Sequence, residues 1–258
     1  MNVVRMVGSA LLHPGPTSTR SFVRSVLAQP RIFDVVSAVA QWRDTALVKK
    51  AEAAYIDQDA QVKKAHDHNL GQIKRFTRTR RAEYGYEVLT TNFGILSDKK
   101  LLVVGGRSVQ EFLLAWTFGF RWENMTGIDL FSANKKILAM NVEKMSFSEN
   151  SFDAITSINT FGYTDHIEDA LRECARVLKP DGRLVFNHDY RPDDPNYPVM
   201  KLRARDVAAM LQSAGLEIYF HSANDKITSG GGYRQTQHMF GCRKIPTDDD
   251  TLDAYRVY

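Results

Sequence analysis

The segment KKLLVVGGRSVQEFLLAWTFGFRWENMTGIDL, from Lys99 to Leu130, constrains the fold more than any other part of the chain. LLVV is an uninterrupted apolar run, as expected of a strand covered on both faces. Gly105 and Gly106 follow directly, then the helical pattern VQEFLLAWTF, then a second apolar run, TGIDL, ending at Asp129 and Leu130. Two parallel strands need a crossover helix between them, so this order predicts a βαβ unit. Such a unit opens a ligand pocket at the carboxyl edge of its sheet. A glycine pair there lets backbone approach the ligand, and an acid about 20 residues on can hold a ribose diol. Arg107 follows Gly106 at once, so the later glycine of a dinucleotide fingerprint is missing. A positive φ at Arg107 would cost energy that glycine avoids, and the turn is expected to be reshaped.

Residues 21 to about 86 have a different texture. Phe22, Val23, Val26 and Leu27, then Ile32, Val35, Val36 and Val39 after Pro30, recur at helical spacing. From Trp42 to Ile73 the chain is rich in Ala, Lys and Gln with sparse apolar positions, suiting helices with a solvated face. The segment up to about Thr19 is expected to lack order. AEYGYEVLTTNFGIL reads as an irregular join. The expected divisions are a helical extension over 1–90, a main domain over 91–245 and a tail over 246–258.

After Lys99, strands and helices alternate, which predicts an α/β, Rossmann-like doubly wound sheet. KKILAM is a short third strand, FDAITSI the fourth, and IEDALRECARVL a helix stopped by Pro180-Asp181-Gly182. GRLVFNHDY is the fifth strand, and ARDVAAMLQSAG a helix ending at Gly215. LEIYFHS and QTQHMFGCRK are close enough to pair as a C-terminal antiparallel hairpin.

Composition excludes several classes. A net charge of +4 is too mild to demand nucleic acid, and neither aromatic stacking nor a basic stripe near the pocket supports it. No apolar run approaches the ~20 residues that span a bilayer. Cys174 and Cys242 are far apart and read as buried thiols of a reducing compartment, with the cytoplasm expected. His66-Asp67-His68 has a metal-like look, but i,i+2 histidines diverge on a helix, so no metal is expected.

LLVVGGRSVQE, TGIDLFS, NVEKMSFSENSFDAI and ALRECARVLKPDGRLVF, in that order, resemble the class I S-adenosylmethionine-dependent methyltransferases over about Asp98–Phe186. The resemblance implies S-adenosyl-L-methionine as cofactor. Gly105 matches the first glycine of the family's opening motif. Val103 stands where an acid is usual, Arg107 and Val109 where the later glycines are. Asp129 matches the ribose-binding acid, with Leu130 beside it. Asn141 matches the position that meets the adenine amine, and Val142 would offer its amide to the ring. Arg107 is a candidate for the cofactor carboxylate, and Glu111 for its ammonium group or for Arg107 itself. A solvated i,i+4 pair is the equal alternative for those two.

The loop after strand four, Ser157 to Tyr163, is the implied acceptor-facing segment. It contains Asn159, a further candidate at the cofactor. Tyr163, and Asp165 and His166 just beyond it, are the titratable groups there, and His166 and Tyr163 are the candidate catalytic residues. A hydroxyl acceptor benefits from a base, for which His166 and His188 are candidates. Asp153 reads as ordering the start of strand four. The acceptor is expected to be a small molecule or a glycan, and the N-terminal helices are a candidate lid or homodimer surface. Two other readings stand beside this one. One is a non-catalytic binding or scaffold protein, given the altered glycine motif. The other is an NAD-dependent oxidoreductase, which RVLKPDG and the terminal hairpin disfavour.

Overall fold

The computed structural model describes residues 17–27, 29, 31–39, 80–106, 109–130, 135–194, 197–227 and 234–246. The chain divides into two compact units, Met1–Asn141 and Val142–Tyr258. Among the described residues, seven strands form a mostly parallel sheet with one antiparallel hairpin, the Rossmann-like class that the alternating pattern predicts.

In the first unit, α1 (Thr17–Leu27) and α2 (31–39) present one stripe inward. Val23, Leu27, Phe33 and Val36 are buried, while Phe22, Val35 and Val39 face outward. The first described helix begins at Thr17, inside the segment expected to lack order. The segment expected as an irregular join is largely helical: α3 covers Arg80–Thr90 and buries Tyr86, Val88 and Leu89. Exposed Tyr84 beside buried Tyr86 gives a two-residue alternation that hides the helical period. Asn92, at φ 54, and the back-bonded hydroxyls of Thr90 (to Tyr86 O, 2.8 Å) and Thr91 (to Glu87 O, 2.7 Å) accompany its end. The Ala- and Lys-rich stretch from Trp42 to Ile73 lies outside the described residues.

β1 (Leu101–Val104) is buried along its whole length and runs parallel to β2 (Met125–Asp129), Leu101 opposite Met125 and Val104 opposite Ile128. β3 (Ile137–Ala139) continues the parallel set beyond β2. The crossover helix α4 (Val109–Phe118) buries Gln110 and all of Phe112–Trp116, so it has little polar face. The N-terminal helices cover it. Arg24 donates to Gly119 O at 3.0 Å and lies 5.2 Å over the Trp116 ring. Gln110 Nε2 donates to Ser37 O at 3.1 Å, and Tyr86 stacks on Phe118 at 5.3 Å. The extension therefore supplies core to the first unit.

In the second unit, β4 (Phe152–Ser157) pairs in parallel with β5 (Leu178–Tyr190), and β5 pairs antiparallel with β7 (Arg234–Lys244). β6 (Leu216–Ile227) closes the hairpin on the far side of β7. α5 (Ile167–Val177) ends where KPDG begins, as expected, but β5 starts at once with Leu178 opposite Phe152. The register then jumps to Ala154 opposite Arg183, so the Pro-Asp-Gly turn is a bulge within the strand. Asp181 takes φ 60 there, and Lys179 holds Asp153 at 2.9 Å, the ordering role expected of Asp153. α6 (Ala204–Ser213) is followed by Gly215 at φ 76. Cys174 and Cys242 are both buried free thiols whose pKa values burial pushes up.

A side chain at Gly127 would collide with α4, since a Cβ built there lies 2.6 Å from Phe112 Cζ. Gly127→Ala should therefore destabilise the fold by about 1–3 kcal/mol, seen as a lower urea midpoint. An unchanged midpoint would mean that the Phe112 ring yields at no cost.

Candidate functional site

In the first unit, the β1 turn is built for close approach. Gly105 adopts φ 75, a conformation that favours glycine, and its amide donates to Ile128 O at 2.8 Å, tying the turn to β2. A Cβ on Gly106 would lie 3.1 Å from Val103 Cγ1. Val103 is buried beneath the turn. An apolar branch thus fills the place where the resembled family has an acid, so this chain meets any ligand here with backbone. Arg107 lies outside the described residues. Glu111 sits in the first turn of α4, where a negative charge is favoured by the helix dipole.

Asp129 is the last residue of β2 and is only partly covered. Its carbonyl accepts from Met140 N at 2.9 Å, which fixes the return of the chain just before Asn141. Leu130 and Asn141 are partly exposed, whereas Phe131 and Ser132 lie outside the described residues. The first unit thereby supplies a backbone turn, an acceptor carboxylate at a strand end and an amide side chain that can both donate and accept.

In the second unit, Val142 is buried and Asn159 follows β4 in the left-handed region, at φ 59. The Asn159 amide donates to Asn187 Oδ1 at 2.6 Å. Asn187 Nδ2 in turn reaches Asp189 Oδ1 at 3.4 Å, and Arg191 bridges Asp189 at 3.2 Å and Asp194 at 3.8 Å. The short turn Phe161–Tyr163 packs Phe161 on Phe186 at 5.1 Å. Tyr163 stays exposed, edge-on to Tyr197 at 5.1 Å. Glu143 accepts from the amides of Asp165 (2.8 Å) and exposed His166 (3.2 Å).

His188 is wholly buried rather than a surface residue. Its Nε2 donates to Leu202 O at 2.8 Å, which leaves Nδ1 as the lone-pair nitrogen. Among the described residues, neither that Nδ1 nor the buried Ser157 Oγ has a hydrogen-bond partner. His188 stacks toward His238 at 6.3 Å, and His238 Nδ1 lies 3.2 Å from His221 Nε2. Burial first, then the His221 and His188 imidazoles, push His238 down to about 4. Burial also lowers His188.

Asn187, Asp189, His221 and His238 are absent from the residues that the sequence points to, and of the histidine row only His188 is among them, as a candidate base. The signal is the NHDY ending of an otherwise apolar strand, which puts polar side chains at buried positions. Among the described residues, no group of three or more His, Cys, Asp or Glu is placed to hold a metal, and no helix is long and apolar enough to cross a membrane. His66-Asp67-His68 lies outside them.

The sheet, with its glycine turn and strand-end acid, is that of the Rossmann-like methyltransferases. Residues 108–186 match the family model described as a methyltransferase domain, a stretch that takes in Asp129, Asn141, Val142, Asn159, Tyr163 and His166 and starts just after the glycine turn. Over that stretch, the resemblance to class I S-adenosylmethionine-dependent methyltransferases holds. The chain is 38% identical over 64 residues to the ubiquinone/menaquinone biosynthesis C-methyltransferase UbiE of Ectopseudomonas mendocina, covering 25% of each. It is 42% identical over 53 residues to the uncharacterized methyltransferase YcgJ of Bacillus subtilis, covering 20% of this chain and 21% of that protein. The chain thus spans about a quarter of the length of the curated relatives it matches. Among solved structures, the 1,6-didemethyltoxoflavin-N1-methyltransferase of Burkholderia thailandensis, with bound 1,6-didemethyltoxoflavin and S-adenosylhomocysteine, shares the fold. Its TM-score is 0.51 at 14% identity, over 74% of this chain and 93% of that one.

Protonating the buried His238 must cost folding free energy. Its folded pKa lies below the ordinary value near 6.5, so the unfolded chain binds the proton more tightly. The stability that neutral His238 contributes is complete above about pH 6.5 and is lost as pH falls toward 4. The loss attributable to His238 should be about 1–2 kcal/mol between pH 7 and pH 4 after allowance for solvent screening. Urea midpoints of wild type and His238→Gln over that range isolate it: the variant should show a shallower slope, and parallel slopes would remove His238 from the account.

Proposed function

We propose that this protein transfers a methyl group from S-adenosyl-L-methionine to an acceptor. The observation that carries the reading is the β1 turn, with Gly105 at φ 75, hydrogen-bonded to the strand that ends in Asp129. Bare backbone beside a partly covered carboxylate suits a ligand with a ribose diol and a polar chain. The match of residues 108–186 supports a methyltransferase over the nicotinamide-dependent alternative.

In this reading, Asp129 accepts from the ribose hydroxyls and the Gly105–Gly106 backbone lies along the methionine portion. Asn141 and Val142 serve the adenine, with Leu130 beside it and Asn159 as a further contact. Arg107 and Glu111 serve the carboxylate and ammonium ends. When bound, the cofactor supplies an electrophilic methyl on a sulfonium, and the reaction needs in-line approach of a nucleophile. Positioning supplies much of the rate. In the same reading Tyr163, exposed and edge-on to Tyr197, meets the acceptor, and exposed His166 takes its proton. The acceptor class we favour is a small molecule or a glycan, and the compartment is the cytoplasm, in keeping with two buried reduced thiols. The N-terminal helices remain a candidate homodimer surface.

The second reading is a binding protein without catalysis, and Val103 is the observation that favours it, because the acid used by the resembled family is replaced by a core residue. Calorimetric titration separates the two. Micromolar binding of S-adenosylhomocysteine, with no heat from NAD, is expected. Asp129→Ala should weaken that binding about tenfold or more. Unaltered affinity in the variant would take Asp129 out of the site, and no binding by the folded wild type would favour the second reading.

A further inference from the structure

The segment after Val142 is sewn along α5. Met145 N donates to Glu173 Oε2 at 2.7 Å, while Arg176 donates to Met145 O at 2.9 Å and to Phe147 O at 2.7 Å. Glu173 and Arg176 are themselves paired at 2.6 Å, so the strap is a continuous charged network. At its other end, Glu143 Oε1 accepts from both Asp165 N and His166 N. Among the described residues, His166 caps α5 without a side-chain bond of its own, and Glu143 holds the two amides at the entry to the helix, ahead of Glu168 and Asp169 in its first turn. The residues it grips close the 160–166 turn, which carries Tyr163 and His166. Asp165 and His166 are exposed, so water competes for these two amides, whereas the Glu173–Arg176 clamp is partly buried.

We propose that Glu143 is a positioning residue that transmits cofactor binding at Val142 to the acceptor-facing turn 160–166. The inference rests on the methyltransferase reading, since it takes Val142 as an adenine contact. Fixing the Val142 backbone restricts Glu143, its direct neighbour, while the Met145–Phe147 clamp holds the following residues against α5. A restricted Glu143 holds the Asp165 and His166 amides for a larger fraction of time. Tyr163 and His166 are then in place when the cofactor is bound and less so when it is not. Binding is consequently ordered, cofactor before acceptor, and an acceptor that arrives first meets an incompletely set turn.

The test is amide hydrogen exchange of the full-length protein with and without S-adenosylhomocysteine, read on Asp165 and His166, with calorimetry on the same samples. In the wild type the ligand should slow exchange at these two amides by about tenfold. Glu143→Ala should bind the ligand yet lose that increment. Glu143→Gln, whose side-chain oxygen still accepts, should restore most of it. A merely structural role for Glu143 would lower protection equally with and without ligand and leave the increment intact. Binding heat with no slowing in the wild type, or a full increment in Glu143→Ala, overturns the inference. The wild-type arm decides this even where a variant fails to fold. Absence of binding heat in the wild type overturns the methyltransferase reading, and the inference with it.

Discussion

The contact of Phe112 with the bare backbone of Gly127 sets the geometry of the first unit. α4 has almost no polar surface, so it has to bury itself against the parallel strands on one side and the N-terminal helices on the other. It approaches β2 closely because Gly127 leaves room for the Phe112 ring, which also meets Trp122 at 6.0 Å. Lys136 lies 5.4 Å over Trp122 and donates to Met125 O at 3.0 Å, locking the start of β2 to the chain that leads into β3. With α4 fixed against β2 this way, the chain leaving β1 has to turn sharply toward the helix, and Gly105 supplies the positive φ at the start of that turn. Dinucleotide-binding folds put a glycine at the start of the helix for close helix–strand packing. Here Val109 occupies that place and the strand provides the glycine instead.

The second unit is organised by polar groups at the end of a buried strand. β5 is apolar and buried from Leu184 to Phe186, then turns polar at Asn187, His188 and Asp189 while remaining buried. Buried polar groups persist when they are hydrogen-bonded. Asn187 holds the left-handed Asn159, Asp189 holds Arg191, and His188 holds the Leu202 carbonyl. The network thus determines where the chain goes after β4 and after β5.

Much of this was legible in the sequence because it depends on local chemistry. The run Leu101–Val104, the helix Val109–Phe118, the acid at the end of β2 and the terminal hairpin all follow from apolar periodicity and glycine placement. The helix Arg80–Thr90 did not, since Tyr84 and Tyr86 mimic an alternating pattern and burial against Phe118 is a long-range effect. The early start of β5 at Leu178 was hidden because a Pro-Asp-Gly turn ordinarily ends an element, whereas here it bulges out of one. His188 read only as a candidate base, since a lone histidine carries no local sign of what will cover it. The grip of Glu143 on Asp165 and His166 joins residues more than 20 positions apart, and no spacing rule reports that.

The central claim is that the Gly105–Gly106 turn and the end of β2 hold S-adenosyl-L-methionine despite Val103 and Arg107. The most direct measurement is the amide NMR spectrum of the 15N-labelled protein titrated with S-adenosylhomocysteine. The account predicts saturable shifts at Gly105, Gly106 and Leu130, with a shared dissociation constant and no response to NAD. Saturable shifts that leave those three amides unmoved would contradict it.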